Sequence, residues 1–96
     1  MITRKDFEAI SQWIKPESSV LDLGCGDGEL LVHLKHSRNI IGYGIENDDA
    51  GILACVSNGV NVIQSNLESG LKEVGDGAFD YVILSQTLQA DRKSVV

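Results

Sequence analysis

The chain has 96 residues, enough for one domain at most, and 8 Lys and Arg against 14 Asp and Glu leave a formal net charge of −6. That balance excludes a broad nucleic-acid-binding surface, and no apolar run approaches the roughly 18 to 20 residues of a membrane span. No apolar stretch follows Arg4 and Lys5 to make a secretory signal. Cys25 and Cys55 are too few for a disulfide framework or a four-ligand zinc site, so a cytoplasmic location is expected.

In chain order, Thr3 and Asp6 form a capping pair for a first helix with Phe7, Ile10 and Ile14 on one stripe, widened by Trp13 and ended by Pro16. Ser19 to Leu23 reads as a short buried strand. A glycine-rich turn leads into a helix from about Gly28 to His36, with Leu30, Leu31 and Leu34 inward. The next unit is a strand from Ile40 to Glu46 and a helix opened by Asn47, Asp48 or Asp49, closed by Gly59, with Ile52, Leu53 and Val56 as its inner face. Asn61 to Gln64 is a third strand, and Leu67 to Val74 a weak helical turn or loop. After a turn at Gly75-Asp76-Gly77, Phe79 to Leu84 is a fourth strand. Strands alternating with helices predict an α/β fold with a parallel sheet in a single domain over residues 1–96.

The chemistry concentrates where the first strand runs into Gly24-Cys25-Gly26-Asp27-Gly28. Glycines at alternate positions let the backbone take left-handed conformations and approach a ligand closely, with the N-terminus of the next helix aimed at the same place. The spacing is not that of a dinucleotide fingerprint, because the third glycine falls one place early and Glu29 occupies its position. Asp22, Asp27 and Glu29 would repel a diphosphate but suit a ligand bearing a sulfonium and an ammonium group, which points to S-adenosylmethionine. Glu46 ends the second strand 18 residues after Gly28, near the ~20-residue spacing at which an acid accepts ribose hydroxyls. Asn66 could meet an adenine edge, with Leu67 lining the ring, or simply form a turn. Ser85, Gln86 and Thr87 stand at the carboxyl end of the fourth strand, where α/β sheets bind ligands, whereas Asp80 reads as a structural acid. His33 and His36 read as solvated surface residues, and Cys25 as a small filler of the loop without a base to activate it.

Val20-Leu21-Asp22-Leu23-Gly24-Cys25-Gly26-Asp27-Gly28 resembles motif I of class I S-adenosylmethionine-dependent methyltransferases. Together with Gly42 to Glu46, Gly59 to Gln64 and Phe79 to Ala90, it resembles the MetW family of methionine biosynthesis proteins, from about Asp6 to Ala90. The resemblance implies a Rossmann-like methyltransferase fold, here truncated after the fourth strand, that binds S-adenosylmethionine or S-adenosylhomocysteine and acts with homoserine O-acyltransferase. Carried over, the cofactor-binding residues are Asp22, Gly24, Cys25, Gly26, Gly28, Glu46, Asn47, Asn66, Leu67 and Ser85. The family usually has Asp where this chain has Asn66. Its strand order puts the fourth strand inside the sheet, so self-association through that strand's exposed edge is expected. Two alternatives stand beside this reading: a small-molecule methyltransferase, and an inert fragment of one.

Overall fold

The computed structural model describes residues 4–73 and 78–85. The expected capping residue Thr3, the turn at Gly75-Asp76-Gly77, and Gln86 and Thr87 lie outside these residues. The elements are α1 (Arg4–Trp13), β1 (Ser19–Leu23), α2 (Glu29–Arg38), β2 (Ile41–Glu46), α3 (Asp49–Ser57), β3 (Asn61–Gln64), α4 (Leu67–Glu73) and β4 (Tyr81–Ile83). The strands form one parallel sheet in the order β3-β2-β1-β4, with Leu23 opposite Ile45 and Asp22 opposite both Gly44 and Ile83. The expected α/β architecture is therefore the one observed. The segment after β3 is a true helix, and β4 is shorter at both ends than the run of apolar residues suggests.

One face of the sheet buries Val20 and Ile83 beneath Ile10 of α1, Ile14 just after it, Leu30, Leu31 and Leu34 of α2, and Cys55 of α3. The opposite face presents Leu21, Leu23 and Ile45, joined by Phe79, Val82 and Leu84. Over that second face, α4 crosses at Gly70, where an added Cβ would come 2.9 Å from Ile45. A buried aliphatic side chain of this kind is worth about 1.5–3 kcal/mol relative to an exposed one, so both layers help to hold the sheet.

Two expected inner faces are corrected. Trp13 is 51% exposed, because the buried stripe of α1 runs through Ile10 and Ser11 and on to Ile14 just past its end, and at 3.6 residues per turn Trp13 falls at its margin. On α3, Leu53 and Val56 are 69% and 64% exposed, and Cys55 is the residue fully buried. The helix turns its small side, Gly51 and Cys55, to the sheet, because the glycine loop after β1 lies too close for a branched side chain. His33 is also less solvated than expected: it packs against Phe7 with ring centroids 5.6 Å apart, while His36 is exposed.

Candidate functional site

The parallel strands all end on one side of the sheet, and that side gathers the residues singled out in the sequence. After Leu23 the chain turns sharply. Gly24 and Cys25 donate their N–H groups to the Ile45 carbonyl at 2.7 and 3.1 Å, which pins the loop onto β2. Gly24, Gly26 and Gly28 take φ values of 74°, 59° and 81°, a region costly for any residue with a Cβ. Their roles then diverge. A Cβ on Gly28 would sit 2.8 Å from Val60 and 3.2 Å from the Cys55 sulfur, so Gly28 is small to let α3 and the start of β3 pack under the loop. The Cys25 side chain is buried in the same place, against Gly44 and Cys55, and its carbonyl accepts the Gly28 N–H at 3.0 Å, so Cys25 serves the shape of the loop.

Glu46 fastens the loop from the other side. Its Oε1 accepts the Gly26 N–H at 2.7 Å, and its Oε2 accepts the N–H groups of Asn47 and Asp48 at 3.1 and 2.9 Å. A carboxylate has about four acceptor positions, so three donors leave one for a ligand hydroxyl. Asp48 caps α3 by accepting from Gly51 N–H at 3.0 Å, and Gln64 donates to the Asn47 carbonyl and the Asp49 carboxylate, steadying the β2–α3 corner.

Asp22 is completely buried beneath the loop. Ser85 closes over it, donating its N–H at 3.2 Å and its hydroxyl at 2.8 Å to the two carboxylate oxygens. Burial pushes the Asp22 carboxyl up to about 7; the two Ser85 bonds act the other way, and the Glu46 charge adds to the rise. Ser85 thus ties the carboxyl end of β4 to β1. At the amino ends the matching tie is Asp80, which accepts from the Ser19 N–H at 2.9 Å and its hydroxyl at 3.2 Å, the structural role its position suggested.

Asn66 caps α4, its side-chain oxygen accepting the Ser69 N–H at 2.7 Å, so the turn-forming role is filled and the side-chain amide is left to donate. Leu67 is the first residue of α4, and its side chain is outside what the structure describes. Sequence reasoning missed three residues that shape the site. A Cβ on Gly51 would meet Glu46 and the Gly26 carbonyl at 2.9 and 3.0 Å. Cys55 donates its thiol to the Gly26 carbonyl at 3.1 Å, and Asn58 donates to the Asp27 carbonyl at 3.1 Å. The only hint in the sequence was the small-residue pairing of Gly51 with Cys55, one helical turn apart.

The assembly is a backbone cradle rimmed by carboxylates. Concavities of about 420 and 500 Å³ lie at the amino ends of the strands, the first lined in part by Leu31, Ile41 and Val60 and the second by Lys15, Glu17 and Tyr81, and neither includes a residue of the glycine loop. Among the described residues no group of three His, Cys, Asp or Glu side chains could hold a metal ion, and no helix is long and apolar enough to cross a membrane.

Comparison with known proteins bears on the family and the fold. The sequence model of the family described as methionine biosynthesis protein MetW matches residues 4–96. The bifunctional methionine biosynthesis protein MetXA/MetW of Rhodopirellula baltica is 41% identical over 93 residues, covering 88% of this chain and 15% of the relative. Among solved structures, a SAM-dependent methyltransferase from Archaeoglobus fulgidus is 26% identical with a TM-score of 0.70, over 82% of this chain and 35% of that one. A SAM-dependent methyltransferase from Geobacter sulfurreducens, in complex with S-adenosyl-L-homocysteine, is 28% identical with a TM-score of 0.53, over 67% and 30%. The chain thus spans well under half the length of each of these proteins. Its parallel sheet and helices are those of a Rossmann-like methyltransferase fold.

Proposed function

The chain belongs to the MetW family of methionine biosynthesis proteins, and from that premise we propose that it binds S-adenosylmethionine or S-adenosylhomocysteine at the glycine loop and acts together with homoserine O-acyltransferase. The observation that carries the cofactor reading is the contact of Glu46 with the loop: a strand-end carboxylate 2.7 Å from the Gly26 N–H, with an acceptor position to spare. In this reading the Gly24 and Gly26 backbone faces the methionine part, Glu46 takes a ribose hydroxyl, and the Asn66 amide donates to the adenine edge. Asn47 and Ser85 bound the site at the ends of β2 and β4, and Leu67 flanks the ring. The cofactor supplies an electrophilic methyl group when bound. The chain's own part is to orient it, with Asp27 and Glu46 placing negative charge near its cationic groups and Asp22, buried and bonded to Ser85, supporting the loop from below.

The relative from Rhodopirellula baltica supports the partner, since its name joins MetW to MetXA in one bifunctional protein of which this chain covers only a small share. Joining two units in one chain holds them at high effective concentration, an arrangement useful to units that work in contact. Self-association through β4, at one edge of the described sheet, is a further part of the proposal. Sedimentation over a range of concentrations should reveal it, and a strict monomer at all of them would sink it.

Titration calorimetry with S-adenosylhomocysteine tests the cofactor reading. Saturable binding that is lost in Glu46→Ala is expected; equal affinity in the variant would move the site elsewhere. Co-sedimentation with homoserine O-acyltransferase tests the partner, and separate boundaries for the two proteins would dismiss it.

A further inference from the structure

The two cysteines of this chain stand 30 residues apart in sequence, and the fold brings their sulfurs to 3.6 Å. Cys25 belongs to the glycine loop and Cys55 to α3, so their contact joins the two segments that Glu46 also joins. Both are buried, and neither is bonded to the other. A disulfide needs the sulfurs at about 2.05 Å, an approach of roughly 1.5 Å, which side-chain rotation and a small loop shift can supply. Two features favour that shift. Gly24 and Gly26 flank Cys25, and Gly44, against which the Cys25 sulfur rests, carries no Cβ.

We propose that Cys25 and Cys55 are a dithiol modification site that a low-molecular-weight disulfide converts to an intramolecular disulfide, stapling the glycine loop to α3. The thiolate of one cysteine attacks a sulfur of the oxidant and releases one thiolate, leaving a mixed disulfide. The other cysteine, as thiolate, then attacks the protein sulfur of that bond, so the protein S–S bond forms and the second oxidant thiolate leaves. The protein loses two electrons and two protons, and the oxidant is reduced to two thiols. Burial pushes both thiols above their ordinary value, so the closed loop reacts slowly and its opening sets the rate. The new bond removes the Cys55 thiol as donor to the Gly26 carbonyl, so it changes how the loop is held and not only how firmly. This inference is independent of the cofactor reading and of the partner.

The test is incubation of the full chain with oxidised glutathione in native buffer, followed by intact mass and melting temperature. The expected product lacks two hydrogens, carries no glutathione, reverts with a dithiol reductant, and melts roughly 10 °C higher. A stable glutathione adduct as the end product, free thiols that persist through prolonged incubation, or a disulfide that appears only with denaturant would each overturn the proposal. So would a lowered melting temperature. Cys25→Ser and Cys55→Ala serve as controls and should show no rise in melting temperature, but the unsubstituted chain alone decides the outcome.

Discussion

At Asp22 a carboxyl is held away from water with two Ser85 donors as compensation, and its pKa rises from 3.8 to about 7. The folded state therefore binds this proton more tightly than the unfolded chain does. The Asp22 contribution to stability is complete below about pH 4 and is lost as pH rises through about 7. Asp22→Asn keeps an acceptor for the Ser85 N–H and abolishes the titration. The variant should gain stability relative to the parent as pH rises from about 4 to about 7, read by denaturant unfolding at a series of pH values; a constant difference would contradict the assignment. Gly28 carries a separate prediction. Gly28→Ala forces a left-handed alanine against Val60 and Cys55 and should cost about 2 kcal/mol of unfolding free energy in the same assay.

At the level of elements, β4 is fastened to β1 by side chains near both ends as well as by the ladder. Asp80→Ala removes the acceptor of two Ser19 donors, an exposed interaction worth about 1 kcal/mol. Hydrogen exchange should quicken at Tyr81 and Val82 while β2 and β3 keep their protection; unchanged exchange in β4 would mean the ladder alone holds it. The bounds of β1 and β3 and the inward leucines of α2 were legible in the sequence, because short apolar runs and helical spacing report burial directly. The orientation of α3 was not. Its apolar residues surround the helix, so periodicity could not choose a face, and the choice was made by the glycine loop packed against Gly51 and Cys55. Glu46 was legible by position, at the end of a strand, but its three backbone donors come from the loop and from its own turn, which spacing does not encode.

Across the whole molecule the net charge of −6 acts on any ligand that approaches the loop. S-adenosylmethionine carries a positive sulfonium that S-adenosylhomocysteine lacks. Raising ionic strength from about 0.01 M to about 1 M should therefore weaken the former several-fold more than the latter in calorimetric titrations, and equal loss would show that the carboxylates play no part in recognition. The tight packing under the loop has a further consequence, one for the routes by which this sequence can change. Gly28 comes from the glycine loop and Gly51 and Cys55 from α3, and they share one small volume with Glu46, Val60 and the Gly26 carbonyl. Enlarging any one shifts the space left to the others, so substitutions there combine epistatically: each is tolerated or rejected according to its neighbours, and variation at this corner is expected to arise in concerted sets rather than one residue at a time.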